Sequence, residues 1–120
     1  MAKNDYSVIV CIVLSYMYKC LKEGEHVDVE LMNPKALEIP DSYWTYIIRN
    51  LEADGYIEGV LFQKYKGGEV LQFEDCFNIT PKGIEYLQEN SFIKKAKETV
   101  KDFATLAATL AKMGFTIANF

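Results

Sequence analysis

Residues 40–59 read PDSYWTYIIRNLEADGYIEG, and this stretch decides the fold. Trp44, Ile47, Ile48 and Leu51 fall at i, i+3, i+4 and i+7, the spacing of one apolar stripe on an α-helix. At about 100° per residue the opposite face carries Ser42, Thr45, Tyr46 and Arg49, with Asn50 at its edge. Asp41 or Ser42 is expected to cap the start. Asp54-Gly55 is expected to end the helix, because glycine takes the left-handed conformation a C-terminal cap requires.

Working outward, two runs rich in β-branched and aromatic residues follow, YIEGVLFQKY (56–65) and EVLQFEDCFNI (69–79). The intervening Lys66-Gly67-Gly68 marks a hairpin between them. Next comes TPKGIEYLQEN (80–90), with Thr80 at the cap and Pro81 at the first helical position of another short helix. On the N-terminal side, YSVIVCIVLSYMY (6–18) predicts a helix from about Asp5 to Glu23, closed by Gly24 and apolar almost all round. Ser15, Lys19 and Lys22 keep the apolar run short of the ~20 residues that crossing a bilayer requires. EHVDVEL (25–31) alternates polar and apolar residues at period 2, the signature of a short half-buried strand. Asn33-Pro34 then opens a second short helix, which Pro40 stops.

The predicted order is therefore helix, short strand, helix, turn, helix, hairpin, the winged helix-turn-helix order. The expected class is α+β, mainly α, with one winged-helix domain over residues 1–90. Residues 91–120 are expected to extend it as a long helix from Ser91 to about Met113. In that segment Ile93, Ala96, Val100, Phe103, Ala107 and Leu110 form an apolar seam, with Lys94, Lys95, Lys101 and Lys112 off it. Such a seam packs on its own domain or pairs with a second copy. A homodimer would use Val100, Phe103, Ala107 and Leu110.

Two motifs resemble a known family. LEADGYIEGV (51–60), joined to ITPKGIEYLQENSFIKKAKETVKDF (79–103), is similar to the YjcQ family of small winged-helix proteins from Gram-positive bacteria and their phages. The resemblance runs from about Ser42 to Phe103, and the TPKG…YL…NS…K pattern is its most specific part. It implies a DNA-binding-type domain in a cytoplasmic protein, compatible with a phage or prophage origin. The very apolar first helix and the terminal ATLAATLAKMGFTIANF depart from the family pattern and point away from a simple monomer.

The 120 residues carry a net charge of −4, unevenly spread. Residues 1–90 hold 8 basic and 15 acidic side chains, a balance of −7, whereas residues 91–120 hold 5 and 2, a balance of +3. A broadly cationic DNA-binding surface is thus absent, and recognition of duplex DNA would rest on local groups. Arg49 can fork onto guanine, Asn50 can pair with adenine, and Ser42 or Thr45 can reach a phosphate or base edge. Lys64 and Lys66, at the hairpin tip, can reach flanking phosphates. The same face is what any solvated helix presents, and the same lysines suit a solvated turn, so a protein partner is the alternative to DNA. Trp44 belongs to the core stripe, Tyr43 to its margin, and Tyr46 is open to either role.

Catalytic chemistry finds little support. His26 is the single histidine, and Cys11, Cys20 and Cys76 form no CxxC pair. No phosphate-cradling or nucleophile-elbow motif occurs. We expect no catalytic residue, no metal and no cofactor, with the cysteines held as reduced thiols in the cytoplasm.

Overall fold

The computed structural model describes residues 5–89, which form an α+β arrangement, mainly helical, around one two-stranded antiparallel sheet. The elements are α1 (Tyr6–Glu23), α2 (Pro34–Leu37), α3 (Asp41–Ala53), β1 (Ile57–Tyr65), β2 (Gly68–Ile79) and α4 (Pro81–Glu89). This order is compatible with a winged helix. The expected long helix from Ser91, with its seam through Val100, Phe103, Ala107 and Leu110, lies outside the described residues.

α1 is the centre of the core. Every residue from Val8 to Met17 is buried, so the helix is covered on all faces, as an all-round apolar sequence demands. Its buried serine, Ser15, is bonded to the Cys11 thiol one turn earlier. Burial pushes that thiol up to about 11, which leaves it protonated and unreactive at neutral pH. Gly24 ends the helix in the left-handed conformation, its N–H donating to the Cys20 and Leu21 carbonyls. No helix among the described residues is long and apolar enough to cross a membrane.

The expected strand at residues 25–31 does not form, and Asp28 supplies the physical reason. Its carboxylate accepts the Glu30 N–H at 2.9 Å, and its carbonyl accepts the N–H groups of Leu31 and Met32. The side chain thus closes a local turn in place of a ladder. Asn33 continues the turn by donating to the Val29 and Glu30 carbonyls, and its side-chain oxygen then caps α2 by accepting the Ala36 N–H at 2.8 Å. The alternating pattern does not become alternating burial: Val29 and Leu31 are both exposed. Met32 is the residue that enters the core.

α3 follows after Glu38, Ile39 and Pro40. Pro40 itself takes the cap position and Asp41 sits inside the first turn, so neither Asp41 nor Ser42 caps by side chain. There Asp41 still complements the helix dipole. The Trp44, Ile47, Ile48 and Leu51 stripe is fully buried, and Gly55 turns the chain at φ +80°.

β1 and β2 pair around Lys66-Gly67, with Tyr65 opposite Gly68 and Lys64 opposite Glu69. Near the base the register jumps from Val60–Phe73 to Glu58–Asn78, so Gly59 faces a wide bulge at residues 74–77. Gly59 stands at φ +84° against the Phe77 backbone, where a Cβ would lie only 2.5 Å from the Phe77 nitrogen. Period-2 alternation puts Val60, Phe62 and Lys64 with Phe73, Leu71 and Glu69 on one face of the hairpin. Leu61, Gln63 and Tyr65 share the other with Gln72 and Val70. The hairpin base enters the core through Ile57, Val60, Phe77 and Ile79, while Leu61, Tyr65 and Val70 remain exposed.

Candidate nucleic-acid interface

The buried stripe of α3 fixes which side of the helix faces out. Ser42, Tyr46 and Arg49 are exposed, and Thr45 and Asn50 are half-buried at the margins. These five residues do share the outward side of the helix, but two of them are already engaged. The Asn50 amide donates to the Tyr46 carbonyl at 2.8 Å, one turn back on its own helix. The Arg49 guanidinium donates through Nη2 to the Glu69 carboxylate on β2 and lies 5.7 Å from the centre of the Phe62 ring on β1. Tyr46 is 55% exposed and meets the Tyr6 ring edge-on, with centroids 6.3 Å apart.

Arg49 therefore ties α3 to the hairpin. Glu69 and Phe62 belong to the hairpin face that also carries Lys64, and Lys64 stands directly across the strands from Glu69. Lys66 is exposed at the turn itself. The outward side of α3, which carries Ser42 and Tyr46, thus meets at Arg49 the hairpin face that carries Lys64, with Lys66 at the turn beyond. Asp41 and Glu52 on α3 and Glu69 on the wing oppose the positive charge of these residues.

Sequence reasoning missed Glu69 and Phe62. The signal was available in the hairpin spacing, since a two-residue turn at Lys66-Gly67 sets Lys64 opposite Glu69. The contact from Glu69 to Arg49 spans 20 residues and requires knowing which face of the hairpin meets α3.

His26 is exposed in the α1–α2 loop, at the rim of an open cleft of about 260 Å³ that it shares with Val27, Val29, Phe73, Glu74, Asp75 and Phe77. Among the described residues no three His, Cys, Asp or Glu side chains gather as a metal site. Cys11 and Cys20 are buried free thiols, whereas Cys76 is an exposed one.

The two most distinctive sequence motifs meet elsewhere. Asp54-Gly55-Tyr56 ends α3, Thr80-Pro81-Lys82-Gly83 begins α4, and the two interlock. The Thr80 hydroxyl donates to the Gly55 carbonyl and accepts the Gly83 N–H, while the Thr80 N–H donates to the Tyr56 carbonyl at 3.0 Å. Lys82 donates to the Asp54 carbonyl at 2.8 Å and covers the Tyr56 ring, which stacks on Tyr86 with centroids 4.6 Å apart. Gly83 packs so closely on the Tyr56 carbonyl that no side chain fits. These motif residues hold the fold.

Fold and site together define a small α+β protein in which an exposed helix face and a hairpin lie side by side, braced from behind by α4. The chain belongs to the YjcQ family: the model of that family, described as YjcQ protein, matches residues 12–104. The match reaches back from the resemblance read at Ser42 to include most of α1, so the very apolar helix falls largely within the family's span. Searches of curated proteins and of solved structures gave no significant match.

Proposed function

We propose that the chain is a winged-helix protein that binds duplex DNA and regulates transcription. α3 would enter the major groove, which is wide enough to admit a helix, and the β1–β2 wing would lie along the adjacent backbone. The observation that carries this reading is the junction at Arg49, where the outward side of α3 is tied to the cation-bearing hairpin through Glu69 and Phe62. Ser42, Thr45, Tyr46, Arg49 and Asn50 take the base-facing roles, and Lys64 and Lys66 the phosphate contacts. In this reading the protein works in the cytoplasm as a homodimer, paired through the C-terminal seam, so that two helices address two half-sites.

The test is fluorescence anisotropy of labelled random and genomic-fragment duplexes at two salt concentrations, with light scattering on the same samples. Binding that weakens steeply with salt supports the reading, since each phosphate contact adds about 0.9 to the slope of log affinity against log salt. Absence of binding at low salt refutes it.

A second reading, a protein-interaction module without DNA binding, is favoured by one specific observation. The outer face of the wing exposes Leu61, Tyr65 and Val70 together, on a domain whose first 90 residues carry −7. Clustered exposed apolar residues of this kind are characteristic of partner surfaces. Copurification of a stoichiometric protein free of nucleic acid distinguishes it.

A further inference from the structure

Glu69 has no assigned role in the proposed contact with DNA, yet its position is unusual for a surface acid. Its side chain is only 17% exposed, against 49% for Arg49, which is its hydrogen-bond partner. Phe62, on the same hairpin face, lies beneath the guanidinium, and Lys64 faces Glu69 from the neighbouring strand. Arg49 is thereby drawn toward the wing. The Arg49 Nη2 donor held by the carboxylate cannot at the same time complete a fork onto a base edge or a phosphate.

We infer that Glu69 is a built-in competitor for Arg49, an internal anion that occupies the reading arginine until DNA displaces it. This inference rests on the DNA-binding reading above. It makes Glu69 a positioning residue that raises the threshold for binding: a duplex must replace the carboxylate at Arg49 and tolerate its negative charge beside Lys64. Ordinary phosphates meet that threshold poorly. A site offering guanine O6 and N7 to the freed fork meets it best. The arrangement gives an acidic protein a means of suppressing non-specific association.

The experiment is anisotropy of a fluorescein-labelled random-sequence duplex of about 20 base pairs, read at low and at moderate salt. Wild type, E69Q, R49A and R49A/E69Q are compared, with E69A as a second neutral variant and thermal melts to establish that each is folded. E69Q should bind roughly tenfold tighter at low salt, the scale of one charge-assisted contact. Its salt slope should steepen by about 1 as an additional cation becomes available to phosphate. In the R49A background the E69Q gain should shrink to less than about twofold, because the competitor then has nothing to withhold.

Equal affinity of E69Q, E69A and wild type would overturn the inference. So would an E69Q gain that persists undiminished in R49A, which would make Glu69 a general repulsive charge. In either case wild-type binding to DNA would stand. If none of the folded variants binds any duplex, the DNA-binding reading falls and the inference with it.

Discussion

The turn that joins α3 to β1 and the outward side of α3 are separated by only a few residues, yet they are built on opposite terms. At the turn, the Asp54, Gly55 and Tyr56 carbonyls each accept a hydrogen bond from α4's first turn or its cap, and the Tyr56 ring meets both Lys82 and Tyr86. On the outward side, Ser42, Tyr46, Lys64 and Lys66 are exposed, and one ion pair joins helix to wing. A backbone acceptor that loses its donor costs up to about 1–3 kcal/mol where it is shielded from water, as the half-buried Gly55 and Tyr56 are, whereas an ion pair whose arginine is half exposed contributes about 0–1 kcal/mol. The lock is therefore where substitutions should damage folding. The outward surface is where they should change binding and leave folding intact.

The largest expected effect tests the lock. Gly83→Ala pushes a methyl group into the Tyr56 carbonyl and the Ile79 side chain, and should destabilise the protein by about 3 kcal/mol or more, read from urea midpoints. A loss under about 1 kcal/mol would mean that the lock yields easily, and the contrast would collapse. Arg49→Ala comes next and tests the other side. DNA affinity should drop by about 1–3 kcal/mol with relaxed preference at one base position, while stability changes by under about 1 kcal/mol.

Thr80→Ala removes a helix cap together with its donation to Gly55, and should cost about 1–2 kcal/mol of stability without altering binding by the folded protein. Lys66→Ala is the smallest. It should weaken all duplexes alike, flatten the salt slope by about 1 and leave the melting temperature in place. Sequence-selective loss on Lys66→Ala would move this lysine from backbone to base contact and sharpen the boundary between helix and wing.

How much of this was legible in the sequence depended on the range of the interactions involved. The α3 stripe, the Gly55 turn, the Asn33 and Thr80 caps and the hairpin are written in local periodicity and turn chemistry, and all five appear where the pattern places them. The strand at residues 25–31 was misread because its alternation is genuine but Asp28 binds its own backbone before a neighbouring strand can. TPKG was visible as a motif, but its function was not. Its partners, the carbonyls of Asp54, Gly55 and Tyr56, lie about 25 residues away and carry no side-chain signature. The outward residues of α3 were identified individually, whereas the engagement of Arg49 by Glu69 needed the docking of the hairpin on α3. The expected seam through Val100, Phe103, Ala107 and Leu110 lies beyond the residues described.

The most direct measurement is an amide NMR titration of the folded protein with a short duplex. The account expects shift changes concentrated at residues 42–50 and at Lys64, Lys66 and Glu69, the last as Arg49 leaves it, with residues 54–56 and 80–83 nearly silent. Shifts that spare Lys64, Lys66, Glu69 and the outward side of α3 and fall only on the outer wing face at Leu61, or on the turn around Tyr56, would contradict it, as would a spectrum that duplex DNA leaves unchanged.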